Sequence, residues 1–206
     1  TIFGKDKVLS GKVILDGKDI TGLSTKKVIE AGLNYVPEDR HYHGLFKISD
    51  IAVNTSSAML AQPEMGRFFL NKKEEYRMTQ KNVDDFRTKV TGQDQLVGSL
   101  SGGNQQKVVI GRCLSTSPKL VILDEPTRGI DAAARGDVYS IIHELREQGV
   151  AVLLISSDME EIVELSDRVM TVCRGRINGE FTGADINQDT LMSASFGITK
   201  KAEVGA

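Results

Sequence analysis

At 206 residues, 40% of them hydrophobic, the chain is large enough for one compact domain with a real core. Lys and Arg total 26 against 28 Asp and Glu, a net charge of −2, which lacks the basic excess of a nucleic-acid binder. The longest wholly apolar run, Val150–Ile155, is far short of the ~20 residues needed to cross a bilayer.

The opening "TIFGKDK" carries no initiator Met and no signal-peptide pattern, and it starts as if in mid-element. We therefore expect natural sequence upstream of Thr1. "KVILDGKDI" (12–20) predicts two short strands joined at Asp16-Gly17. "STKKVIEAG" (24–32) predicts a short helix between a Ser start and a Gly stop, and "LNYVP" (33–37) a strand ending at proline. Residues 48–92 are polar and mostly helical, with Val83, Phe86 and Val90 spaced as one helix face. From 100 onward strands and helices alternate. A helix is expected from Gly103 to about Ser115, then a strand over Leu120–Leu123. A second helix follows, with Val138, Ile141, Ile142 and Leu145 inward and Gly149 as its stop. The strand "VAVLLI", a helix over 159–165 and a hairpin turning near Gly175 complete the chain. Aliphatic strands alternating with amphipathic helices imply an α/β fold whose mostly parallel sheet is covered on both faces.

Chemistry concentrates in two stretches. "LVILDEPTRGID" (120–131) is a buried strand ending in Asp124 and Glu125, at the sheet edge where open α/β folds bind ligands. One carboxylate there can hold Mg²⁺ through water while the other orients or deprotonates the attacking water. An Asp-Glu-Pro after a strand also suits an ordinary polar turn. "LSGGNQQK" (100–107) opens a helix with Ser101, Gly102 and Gly103, whose bare amides and helix dipole favour a phosphate. A Ser cap with turn glycines would read the same way. The two stretches in this order, with Asp124 23 residues after Ser101, are harder to obtain by chance.

Together they resemble the ATP-binding cassette (ABC) family: "LSGGN" matches its signature loop, "LVILDEPT" its Walker B strand and "GID" (129–131) its D-loop. "YVPEDR" (35–40) and "ISSD" (155–158) narrow the likeness to the second cassette of double-cassette ATPases that drive bacterial import of simple sugars, of the ribose, galactose, xylose or autoinducer type. The resemblance implies a P-loop NTPase-like cassette, with 1–40 and 116–206 in the ATPase core and 44–115 as a helical subdomain ending in the signature loop and helix. It implies ATP and Mg²⁺, with Asp124 on the metal and Glu125 on the water. Ser101, Gly102, Gly103, Asn104 and Asp131 would touch nucleotide, as would Glu38 at the Q-loop position. Ser157 stands where the family has its switch histidine. The implied partners are a second cassette, transmembrane permease subunits and, indirectly, a periplasmic sugar-binding protein, at the cytoplasmic face of the inner membrane. A non-transport ABC ATPase and a non-catalytic nucleotide-binding scaffold are the competing readings.

The phosphate-binding pattern GxxxxGK[ST] is missing from the sequence. "GKDKVLSGKV" (4–13) has six residues between its glycines and valine in place of the hydroxyl, and we read it as the start of the hairpin. The family's loop would lie just upstream of Thr1. Glu38 and Ser157 replace a glutamine and a histidine belonging to the site this cassette would own, whereas Ser101–Gly103 and Asp131, which it would supply to its partner, are intact. Other features read more plainly. His41 and His43 lack a third metal ligand, and His143 is expected to pack beside an apolar helix face. "KKEEYR" (72–77) suits a solvated helix face. Residues 44–70, with Leu45, Phe46, Phe68 and Phe69, either receive a permease helix or tie the insert to the core. Cys113 and Cys173, 60 positions apart, suit two buried thiols in a reducing cytosol.

Overall fold

The computed structural model describes residues 1–60, 62–66 and 69–198. It divides into two compact units, Thr1–Ile155 and Ser156–Ala206. The first unit opens with β1 (Ile14–Leu15) and β2 (Lys18–Asp19), paired antiparallel. Asp16 and Gly17 between them both have positive φ (49° and 74°), which is why an Asp-Gly pair makes this turn. Helix α1 (Thr25–Glu30) ends before left-handed Gly32 and leads into β3 (Leu33–Val36).

The expected helical insert follows. Helix α2 (Ile51–Ser56) is capped by Asp50, whose carboxylate accepts from the Val53 amide at 2.7 Å. Helix α3 (Lys72–Asp85) is capped by Asn71. It stops there because Arg87 turns to a φ of 48°, so Val90 lies beyond the helix and the expected Val83–Phe86–Val90 face ends early. "KKEEYR" is not wholly solvated either: Glu75 is fully buried, held by the Ser56 hydroxyl at 2.8 Å and by Lys72 at 2.6 Å. Phe46 and Phe69 are exposed and Leu45 is buried; Phe68 lies outside the described residues.

Helix α4 (Gly102–Leu114), strand β4 (Leu120–Asp124), helix α5 (Ala132–Glu147) and strand β5 (Ala151–Ile155) complete the unit. The sheet order is β3-β4-β5, all parallel, with Tyr35 beside Ile122 and Asp124 beside Ile155. Central β4 is covered on both faces, with Val121, Ile122 and Leu123 buried, whereas edge strand β5 leaves its aliphatic side chains half-buried or exposed. Ile20, Val28, Leu33 and Ile122 form one core cluster beneath Phe3, Leu15, Tyr35 and Leu153. On α5 the buried stripe adds Tyr139 to the four expected residues. His143 is exposed instead of packed, because it sits roughly 100° further round the helix than Ile142.

The second unit holds α6 (Met159–Leu165), the hairpin β6 (Arg168–Cys173) and β7 (Arg176–Thr182), and α7 (Gln188–Ser195). Its turn at Arg174-Gly175 has positive φ at both residues, and Asp158 caps α6 through the Glu160 amide at 3.0 Å. Both cysteines are free thiols: Cys113 is buried, while Cys173 is only half-buried at the end of its strand.

Candidate nucleotide site

Parallel strands β3, β4 and β5 bring their carboxyl ends to one edge, and Glu38, Asp124 and Glu125 lie at or just past those ends. Asp124 is the last residue of β4. Its Oδ2 accepts a hydrogen bond of 2.8 Å from the Tyr35 phenol on neighbouring β3. Burial, followed by the bond to the Asp124 carboxylate, pushes the Tyr35 hydroxyl up to about 12, so it stays a donor at neutral pH. A carboxylate has about four acceptor positions and this bond uses one, which leaves capacity for metal-bound water. Mg²⁺ commonly takes one or two protein carboxylates and completes its shell with water and substrate phosphates. Asp124 fits that partial role. Among the described residues no group of three or more His, Cys, Asp or Glu side chains could hold a metal by itself, His41 and His43 included.

Glu125 leaves the sheet with a φ of 48°, a conformation that costs a non-glycine residue about 1–2 kcal/mol. Two backbone bonds hold it: its N–H donates to the Ile155 carbonyl at 2.8 Å, and its carbonyl accepts from the Arg128 amide at 3.1 Å. Pro126 and Thr127 are buried beneath the turn, Gly129 is left-handed, and Asp131 caps α5 by accepting from the Ala134 amide at 2.9 Å. The Asp131 carboxylate is thus fixed in direction as well as exposed.

The signature turn packs on this segment. Ser101 is exposed, and its hydroxyl oxygen accepts from the Asn104 amide nitrogen at 2.9 Å, leaving the hydroxyl hydrogen to donate elsewhere. Asn104 also accepts from the Lys89 amide at 2.9 Å, so its side chain is engaged in orienting Ser101 and the loop before α4. Neither Gly102 nor Gly103 needs a positive φ. Their requirement is close approach: a β-carbon on Gly102 would lie 3.0 Å from Arg40 Nη2 and 3.2 Å from the Gly129 carbonyl. One on Gly103 would meet the Ala134 β-carbon at 2.3 Å. Further along α4, nearly buried Lys107 bonds Asp137 on α5 at 2.7 Å and the Arg87 carbonyl at 3.3 Å.

Just past β3, the Glu38 carboxylate pairs with the Arg128 guanidinium. Arg40 donates from Nη1 to the Arg128 carbonyl at 2.8 Å and from Nη2 to the Gly129 carbonyl at 3.1 Å. The structure therefore gathers Glu38, Gly102, Gly103 and Asp131 around the turn that follows β4. In the second unit, Ser157 is exposed on the bend before α6, next to Ser156, whose hydroxyl accepts from the Asp158 amide at 3.0 Å. Tyr35, Arg40 and Arg128 were not singled out from sequence. Their only signal was the "YVPEDR" and "DEPTRGID" strings themselves, because the contacts join residues nearly ninety positions apart.

Residues 1–128 match the ABC transporter family. The chain is 40% identical over 187 residues to the xylose import ATP-binding protein XylG of Moorella thermoacetica, covering 91% of this chain and 37% of that protein. It is 40% identical over 197 residues to the ribose import ATP-binding protein RbsA of a Chelativorans species, covering 96% and 39%. The arabinose import ATP-binding protein AraG of Pectobacterium atrosepticum is 38% identical over 192 residues, covering 93% and 38%. The chain thus spans less than half the length of these relatives. Among solved structures, an ATP-binding cassette of an ABC transporter superposes with a TM-score of 0.80 at 22% identity, covering 96% of this chain and 79% of that one. A dimeric cassette bound to ADP and Pi superposes at 0.73 with 18% identity, covering 87% and 76%. A buried strand that ends at Asp124 and is followed by Glu125, the Ser101–Gly103 turn packed beside the segment after it and these matches together make the chain a member of the ABC transporter family with the fold of its ATP-binding cassette.

Proposed function

We propose that this cassette is the energy-coupling ATPase part of a simple-sugar importer, and that its main contribution is to complete the ATP site of a second cassette. The observation that carries this reading is the packing of the signature turn on the D-loop. Ser101, Gly102 and Asp131 belong to two segments in direct contact, the Gly102 backbone lying against the Gly129 carbonyl. A triphosphate held by a partner would meet the Ser101 hydroxyl and the α4 amides together, at the positive end of a thirteen-residue helix. Asp131, fixed by its capping bond, would face the same partner.

At the site this cassette would own, Asp124 would hold a metal-bound water and Glu125 would orient the attacking water. Glu38 is already engaged by Arg128, and Ser157 offers a short neutral hydroxyl where a histidine would reach a γ-phosphate. Removing a preorganised donor of this kind typically slows a catalyst ~10²–10³-fold, so hydrolysis here should be slow. The phosphate loop of that site is not supplied by these 206 residues, which carry no GxxxxGK[ST] pattern. The import names of the relatives favour a sugar transporter, with permease subunits and a periplasmic binding protein as partners and peripheral attachment at the cytoplasmic face. Within a helical subdomain of 44–115, residues 44–70 would be the surface that meets the permease, with Phe46 and Phe69 exposed there.

The test compares Ser101→Ala with Glu125→Gln in the chain paired with a partner cassette that carries an intact phosphate loop. Ser101→Ala is expected to lower the ATPase rate more. A larger loss with Glu125→Gln would overturn the asymmetry. The 206-residue chain by itself is expected to show no robust turnover, in line with the scaffold alternative for this stretch alone.

A further inference from the structure

We infer that Arg40 is a positioning residue: its guanidinium fastens the D-loop to the start of the signature helix, so that Ser101 and Asp131 are presented as one rigid face. Three independent features support this. The fork spans two consecutive carbonyls, those of Arg128 and Gly129, at 2.8 and 3.1 Å, a geometry that suits the planar guanidinium and that a lysine ammonium cannot reproduce. The same fork lies between two glycines. A β-carbon on Gly102 would stand 3.0 Å from Nη2, and one on Gly129 would stand 3.6 Å from Nη2 and 3.8 Å from Nη1. Both backbones therefore lie against the guanidinium, one from the signature turn and one from the D-loop. Finally, Arg40 is 9% exposed and its Nε is buried without a hydrogen-bond partner. A solvated arginine would not accept that loss, and the position is kept by what the two Nη groups hold.

The charge adds to the geometry. Arg40 donates to neutral carbonyls, while the nearby Glu38 carboxylate is paired with Arg128. An arginine whose hydrogen bonds go to uncharged acceptors, beside the first turn of α4, raises the positive potential where a phosphate would sit. Burial also lowers the arginine pKa, but from a value so high that the charge persists at neutral pH.

The kinetic part of this inference rests on the signature-supplying role proposed above; the structural part does not. The experiment measures backbone hydrogen exchange over residues 101–105 and 127–135 in the 206-residue chain, and kcat and KM for ATP in the chain paired with a partner cassette. Arg40→Met removes fork and charge, and Arg40→Lys keeps charge and stem, which preserves a readout if the methionine variant does not fold. Exchange in both segments is expected to rise at least about tenfold in either variant, as befits the loss of a charge-assisted hydrogen bond. Amides of β3 and β4 should be unchanged, and kcat should fall about tenfold with KM within twofold. Unaltered exchange in the two segments overturns the inference, as does loosened exchange with an unaltered kcat. If the wild-type pair shows no ATPase beyond the partner alone, the proposed function fails and exchange still decides the role of Arg40.

Discussion

A β-carbon on Gly103 would stand 2.3 Å from the β-carbon of Ala134, so the helices carrying the signature turn and the D-loop touch at their first turns with no room for a methyl group. Gly103→Ala is therefore expected to destabilise the chain by about 1–3 kcal/mol through overpacking. Ala134→Gly alone should cost about 1 kcal/mol as a glycine placed in a helix. Combined, the two should cost less than their sum, because the second restores the space the first needs. Urea denaturation of the four proteins of this cycle measures the coupling; strict additivity would mean the helices move apart freely.

Tyr35 links stability to pH. In the folded protein burial and the Asp124 carboxylate raise its hydroxyl to about 12, whereas in the unfolded chain it ionises near its ordinary value of about 10. Ionisation thus favours unfolding. The stability Tyr35 contributes is fully present below pH ~10 and is lost as pH rises towards ~12. Tyr35→Phe removes that titration. The stability difference between wild type and Tyr35→Phe, read from urea midpoints at pH 9 and pH 11, is expected to shift in favour of the variant at the higher pH. A constant difference would mean that neither burial nor the Asp124 carboxylate raises the phenol in the folded protein.

Much of this architecture is legible in the sequence because its causes are local. Leu120–Leu123 is aliphatic throughout and ends in two acids, and the structure makes it the central strand. Asp16-Gly17 demands positive φ twice, and a hairpin turns there. What escapes the sequence is set by distant partners. Nothing near Arg40 shows that its acceptors are carbonyls 88 and 89 residues away. Gly102 and Gly103 read as phosphate-friendly glycines, yet their steric need comes from Arg40, Gly129 and Ala134. Val90 and His143 depart from the expected faces for simpler reasons: a left-handed Arg87 follows the end of α3, and a step of one residue turns a side chain from core to solvent.

Arg128 takes part in two contacts of different worth. Its side chain pairs with Glu38 where both side chains are largely exposed, 65% and 49%, and such pairs contribute about 0–1 kcal/mol. Its carbonyl receives Arg40, which is buried. Arg128→Ala leaves that carbonyl in place and is expected to change the urea midpoint by less than the equivalent of about 1 kcal/mol. Arg40→Met, which leaves two carbonyls and a cavity behind, should cost at least about 2 kcal/mol. Equal effects would show that the surface pair, and not the buried fork, holds the turn.

Glu125 gives a prediction of unusual sign. In most positions glycine is the less stable substitution, since the unfolded chain gains freedom. At a φ of 48° alanine keeps the left-handed penalty that glycine escapes. Both substitutions delete the same carboxylate, so the loss of its interactions cancels in the comparison. Glu125→Gly is therefore expected to be more stable than Glu125→Ala, by about 0.5–1 kcal/mol after the entropic cost of glycine is set against the relief of strain. Thermal unfolding of the two variants under one buffer decides it. If the alanine protein melts higher, the backbone at residue 125 is not left-handed in solution, and the carboxylate would leave β4 in a different direction from the one the proposed role of Glu125 on the attacking water requires.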